Sequence, residues 1–280
     1  MRFHRFAPAA LAIGLVSPVA MAQDTGLRPG WSFNVGVYAW LPTLDGTFNY
    51  ALPTGLAGAA NVSADAGDYF SNLNFAALIA TEIRYERFSL VTDLMYMDIG
   101  GDSSRLRSVD VAGLPSNPLS TTVNTTTDTN FKALILTMAG GYTAASGSWG
   151  NFDVIGGFRY FGADVRTDYA LSADIAGPGS QGVALARNGR LSGSQDIWNG
   201  IIGVRGRLRL GDSGFFVPYY FDIGTGDSDL TWQAFGGIGY QTGPLGVQVG
   251  YRHLSFDQGG RDLVQDVSMR GAYLALNYSF

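Results

Sequence analysis

From residue 31 onward, apolar side chains recur at every second position, the period of a strand whose successive residues face opposite ways. Trp31, Phe33, Val35, Val37, Ala39 and Leu41 share one face, set against Ser32, Asn34, Gly36 and Tyr38. Phe75, Ala77, Ile79, Ile83 and Tyr85 alternate in the same way with Asn74, Glu82 and Arg84. The clearest case runs from Trp198 to Leu210, where Trp198, Ile202, Val204, Leu208 and Leu210 oppose Arg205, Arg207 and Arg209. The same dyad predicts strands over Phe215–Ile223, Leu230–Tyr240, Leu245–His253 and Arg270–Phe280. Strands are also expected near 88–99, 131–143 and 149–165, although between Phe131 and Tyr142 the phase is ambiguous.

These ten strands are joined by connections that alternate in length. Turns near Glu86-Arg87, Ala144–Ser148, Gly211–Ser213 and Thr242-Gly243 are short, whereas segments 42–73, 100–130 and 166–196 are long. Short turns on one side, long loops on the other and an even strand number are the signature of a transmembrane barrel. The expected fold is therefore all-β: a closed antiparallel transmembrane β-barrel of ten strands, with short periplasmic turns and three long extracellular loops. A count of twelve stays open, because Gly46–Tyr50 and Asn61–Ala64 could add a hairpin inside the first loop. Strand length separates this fold from a soluble sandwich. Many segments run well past the five or six residues of an ordinary strand and match the 9 to 11 needed to cross a bilayer at a tilt. Aromatic residues such as Trp31, Tyr85, Phe88, Trp198, Trp232, Tyr240 and Tyr278 gather at strand ends, where interfacial girdles form.

Composition supports the same environment. Of 280 residues, 15% are charged, against about 25% in ordinary soluble domains. Beyond residue 22 there is no run of about 20 apolar residues, so no spanning helix is expected. Residues 1–22 read as a secretory signal peptide: Arg2 and Arg5, an apolar stretch from Ala9 to Val19, then Ala20-Met21-Ala22. Residues 23–280 form the barrel domain. Removing Arg2 and Arg5 takes the formal net charge from −5 to −7, which disfavours nucleic acid as a partner. The expected destination is the outer membrane of a Gram-negative bacterium, reached after cleavage of the signal. With no cysteine in the chain, stability must come from strand pairing and closure.

If the apolar face meets lipid, the other face fills the lumen, and parity assigns its charges. Glu82, Asp93, Asp153 and Asp222 are the acids, and Arg84, Arg159, Arg205, Arg207, Arg209 and Arg252 the bases. Lys132 is the sole lysine; every other base is arginine, whose planar fork suits bidentate pairing with carboxylates in a confined space. Two readings follow: a structural arginine–carboxylate network that plugs the lumen, or a narrow charged path for small solutes.

Candidate chemistry is sparse. His253 and Ser255 share the outward face near the end of a strand with Asp257 close by, an arrangement similar to the His-x-Ser pair of outer-membrane lipid A deacylases, which makes a lipid A-modifying hydrolase the alternative reading. Here Phe256-Asp257-Gln258 follows, where those enzymes continue with Asn and small residues. The Asp-His and Asp-Asp pairs of omptin proteases find no local match, since Tyr251 and Arg252 precede His253. With one histidine left after residue 22 and no cysteine, zinc clusters are not expected. Asp227 and Asp229 could ligate Ca²⁺, but a tight solvated turn is the simpler reading.

Several segments together resemble an uncharacterised family of Gram-negative outer-membrane β-barrel proteins over nearly the whole mature chain. They are Trp31–Thr47, Phe88–Asp98, Gly156–Tyr160, Asp222–Gln233, Tyr251–Leu254 and the closing Tyr278-Ser279-Phe280. The resemblance implies a fold and a location, not an activity, and His253 stands where relatives favour tyrosine. The expectation is a monomeric barrel without cofactor, metal or enzymatic role, in contact with outer-membrane lipid and lipopolysaccharide. It would serve as a narrow pore or as a structural and surface-binding protein of the envelope.

Overall fold

The computed structural model describes residues 30–51, 57–64, 67, 73–101, 122–175, 183–259 and 264–280. The expected signal segment, 1–22, and parts of the three long connections lie outside these residues. The strands are β1 (Trp31–Ala51), β2 (Ala57–Ala64), β3 (Leu73–Tyr85), β4 (Phe88–Gly101), β5 (Thr122–Gly147), β6 (Gly150–Ile175), β7 (Val183–Arg209), β8 (Phe215–Gly226), β9 (Leu230–Thr242), β10 (Leu245–Asp257) and β11 (Val264–Ser279). All neighbours pair antiparallel. β1 also pairs with β11, from Asn34↔Ser279 to Phe48↔Val264, so the sheet closes on itself.

Ten strands make the wall. β2 returns along the far half of β1, pairing Leu44↔Ala64 through Ala51↔Ala57, while β3 pairs with the near half from Trp31↔Tyr85 to Val37↔Ile79. The hairpin left open by the sequence therefore forms, but it extends one edge of β1 beyond β3 and adds no member to the ring. Closure gives the backbone of every wall strand partners on both sides, the condition for crossing a medium that offers no hydrogen bonds.

Tight connections lie at one end, between β3 and β4, β5 and β6, β7 and β8, and β9 and β10. Gly150 opens β6 at φ +132°, where an added Cβ would lie 2.0 Å from the Arg207 carbonyl oxygen. Only glycine fits there. At the opposite end three strands run farther than the alternation indicated. β5, β6 and β7 contain 26, 26 and 27 residues, more than twice a membrane crossing. They remain paired out to Thr122↔Asp174 and Ile175↔Val183. Much of what reads as loop in 122–130, 166–175 and 183–196 is thus sheet. Residues 122–130 and 187–196 are mostly polar or Gly and show no apolar face, whereas Tyr169, Leu171, Ala173 and Ile175 do alternate with polar positions, so the two-residue period marks the outer part of β6 but not those of β5 and β7.

Parity sorts the wall as expected. Ile202 is 68% exposed on the outside and its neighbour Ile201 3% exposed inside. Toward the end with the long connections, the interior is not polar. Trp40, Met95, Ile135, Phe161, Ile197, Leu254, Phe256 and Met269 form one buried apolar cluster together with Tyr38 and Tyr273. Phe161 and Phe256 stack with centroids 5.1 Å apart.

Candidate functional site

The interior charges fall into linked groups that brace the wall. Arg159 on β6 pairs with Asp222 on β8, and both side chains are 0% exposed. Its Nε donates to Thr137 Oγ1 at 3.2 Å and an Nη to Thr231 Oγ1 at 3.2 Å, so the guanidinium is held by three strands besides its own. Arg252 on β10 reaches Asp93 on β4 at 2.7 Å, four places away round the wall, and also donates to Gln233 Oε1 at 2.7 Å and Tyr38 OH at 3.2 Å. Tyr38 OH in turn donates to Asp93. The Arg252 guanidinium lies 4.8 Å from the centre of the Trp40 ring, a cation–π contact at the base of the apolar cluster.

Nearer the short turns, Glu82 accepts from Arg84 Nε at 2.8 Å and from Arg205, which crosses from β7 to β3, again four places round the ring. Arg84 also pairs with Asp153, whose Oδ1 accepts from Thr143 Oγ1 at 2.7 Å and Asn151 Nδ2 at 3.0 Å. Arg207 lies over the inward-facing Phe216 ring at 5.7 Å, and Arg209 follows on the same strand face. Of the ten charged residues assigned to the lumen by parity, eight are joined in these ion-paired groups, and Arg207 and Arg209 lie on the same wall nearer the short turns.

Tyr38, Thr137, Thr143 and Gln233 complete these groups without being charged themselves. They lie on the inward faces of strands that carry none of the lumen charges, Tyr38 on β1, Thr137 and Thr143 on β5 and Gln233 on β9; parity finds Tyr38 and Gln233, whereas on β5 the phase is ambiguous. The apolar cluster has no such signal. At Ala133–Leu136 both faces of the strand are hydrophobic and a two-residue period carries no contrast, whereas Leu254 and Phe256, and Val267 and Met269, alternate with polar outward residues, the reverse of the pattern in the lipid-facing stretches.

On the outer face, aromatic pairs form two bands. At the short-turn end Trp31 contacts Tyr85 (4.9 Å), Phe88 contacts Tyr142 (5.4 Å) and Phe215 contacts Tyr240 (4.8 Å). At the other end Phe75 contacts Tyr96 (6.0 Å), Tyr160 contacts Trp198 (4.7 Å), and Trp232 stacks on His253 (4.3 Å). Between the bands the surface is Val37, Ile79, Ile83, Val154, Ile202, Ile223, Ile238, Val249, Leu274 and Leu276, all outward and exposed. From Phe75 to Tyr85 the strand rises roughly 33 Å, which at a tilt of about 40° spans about 25 Å, the height of an apolar band in such barrels. This is an outer-membrane β-barrel.

The short-turn end of the barrel is accordingly its periplasmic end, and β5, β6 and β7 project on the extracellular side. No family model matches the sequence, and no curated protein does. Among solved structures, the outer membrane protease OmpT from Escherichia coli is similar with a TM-score of 0.48 and 12% identity, over 92% of this chain and 100% of that one. Ail, the attachment invasion locus protein of Yersinia pestis, gives a TM-score of 0.32 and 9% identity over 90% and 100%. Neisserial surface protein A gives 0.30 and 9% over 90% and 97%.

His253 lies in the extracellular aromatic band, its Nε2 3.2 Å from Ser268 Oγ and its ring flat against Trp232. Ser255 shares its face one pair farther out, directly opposite Trp232 and Ser268. Asp257 Oδ1 accepts from the Gly259 backbone N–H at 3.1 Å. No group of three metal-ligating side chains exists among the described residues.

Proposed function

We propose that this barrel is a non-enzymatic, monomeric protein of the outer membrane, exported with cleavage of residues 1–22. It holds its lumen shut and carries the extended β5–β6–β7 sheet above the membrane as a surface for contact with partners. One observation carries this reading: the interior is filled across its width. The Arg159–Asp222 pair and the side chains of Ile197 and Leu254 are 0% exposed, and Arg252 and Asp93 bridge the wall immediately beneath the apolar cluster. A solute would have to displace both layers.

A second reading, a narrow pore for small solutes, draws on the lower lumen, where Glu82 and Arg205 keep about a fifth of their side-chain surface exposed (20% and 22%). Planar-bilayer recordings distinguish the two. A shut lumen gives no steady conductance above the bare membrane, and a reproducible unitary current sinks the proposal. The non-enzymatic part rests on His253, whose ring is engaged by Trp232 and Ser268. Lipid A mass spectra should be identical with and without His253→Ala.

A further inference from the structure

Above the membrane, β7 has a strand neighbour on one side only. Its register against β6 runs unbroken from Val183↔Ile175 to Leu208↔Gly150, whereas its pairing with β8 begins at Asn199↔Gly226. One step farther out, the β8–β9 turn stands in for a strand: the Asp227 N–H donates to the Trp198 carbonyl at 2.9 Å, and the Trp198 N–H to Asp227 Oδ2 at 2.8 Å. From Ile197 to Val183 no strand lies on that side among the described residues, and this is the longest unpaired edge they contain. The two Trp198 bonds also show which peptide groups are left over. A residue in an antiparallel ladder turns its N–H and C=O to one side, and the side alternates along the strand. Trp198 turns away from β6, and so do Asp196, Ser194, Ser192 and the even-numbered residues beyond them. Natural edges are blunted by proline, by a bulge or by a covering segment, because free peptide groups are a template for another strand. This edge has no proline and no bulge. Ser192, Ser194 and Asp196 are exposed, and Ser-Gly-Ser at 192–194 leaves room for a backbone at the roughly 4.8 Å spacing of paired strands.

We propose that the edge of β7 over residues 184–196 is a docking site for an extended segment of a partner protein, which joins the β5–β6–β7 sheet as a fourth strand. This rests on the reading of that sheet as a contact surface and names what it contacts. Donors and acceptors alternating at strand spacing are matched along their length by another main chain, which neither an acyl chain nor a small solute supplies. A second copy in the same membrane does not fit. Two β7 edges would face each other only across a two-fold axis along the membrane normal, and strands tilted by about 40° would then cross at about 80°. Paired strands differ in direction by no more than roughly 35°.

The test is selection from a random decapeptide library on the full-length barrel refolded in detergent, each selected peptide then being titrated singly. Saturable binding is expected. Ser192→Pro combined with Ser194→Pro removes two N–H groups from the free edge and none from the β6 ladder, and should raise the Kd at least tenfold. Should that variant fail the heat-dependent gel shift of a folded barrel, amide exchange of the unaltered protein decides. Bound peptide should slow the Ser192, Ser194 and Asp196 amides at least tenfold and leave those of Gly193 and Gln195, which turn to β6, unchanged. Failure to select any peptide, or protection without this alternation, overturns the proposal. Peptides that bind the proline variant equally well dock on a face of the sheet, which overturns the edge site and keeps the contact surface. A dimer of the barrel that the proline variant abolishes assigns the edge to a second copy, and this too overturns the proposal. Conductance decides the shut lumen separately.

Discussion

Arg159 and Asp222 show how little room the interior leaves for error. Both are completely enclosed, so removing one partner strands the other as an uncompensated charge. Arg159→Ala and Asp222→Ala are each expected to destabilise the barrel by about 3–5 kcal/mol, whereas replacing both by apolar residues of similar volume should cost far less. Urea unfolding in lipid vesicles, run as a double-mutant cycle, measures the coupling. Their place in the lumen was legible in the sequence from strand parity: Asp222 is the one charge in β8, and Arg159 falls on the same face of β6 as Asp153. Which acid meets which base was not, since partners such as Arg252 and Asp93 are 159 positions apart and meet only through the ring's closure. The apolar filling was hidden for two other reasons: at Ala133–Leu136 the two faces of a strand look alike, and at Leu254–Phe256 the apolar residues turn inward while His253, Ser255 and Asp257 face out, the reverse of the lipid-facing pattern.

At the level of elements, β10 and β11 set Asp257 directly opposite Asp266 near the extracellular rim. Partial burial, and after it the neighbouring Asp257 carboxylate, push the Asp266 carboxyl above its ordinary range. Like charges facing each other across a ladder are destabilising, and a proton relieves them. Because the folded value is raised, the stabilising contribution is complete below the ordinary carboxylate range and is lost as pH rises through the raised value. Amide exchange in this hairpin should therefore be slower under acid conditions once corrected for intrinsic rates, and Asp266→Asn should remove that dependence. The long strands offer another check. As the chain has no cysteine, an introduced thiol reports alone. In intact cells a membrane-impermeant maleimide should label Ser194→Cys, on the extracellular half of β7, and spare Ile202→Cys, which faces acyl chains. Equal labelling of both would contradict the membrane position deduced from the aromatic bands. Periodicity found the crossing portions of β5–β7, but the outer ends of β5 and β7 are held by backbone pairing of largely polar sequence, which leaves no hydropathic trace, while the alternation of Tyr169, Leu171, Ala173 and Ile175 in β6 lies inside what reads by length as a loop.

For the whole molecule, what matters most is where the cylinder is sewn. The seam joins β1 to β11, and its fifteen facing residue pairs unite strands from opposite ends of the described chain. Until β11 arrives, β1 and β10 each present a bare row of peptide groups, and in hydrocarbon each unmet group costs several kcal/mol. No stable nine-strand version is to be expected. Deleting residues 264–280 should yield a protein that never acquires the heat-dependent gel mobility of a closed barrel, and recovery of that shift would show that another edge can substitute. Folding consequently proofreads the entire message: a ribosome that stops before the last strand produces nothing able to settle in the bilayer, and incomplete copies are refused without any separate inspector.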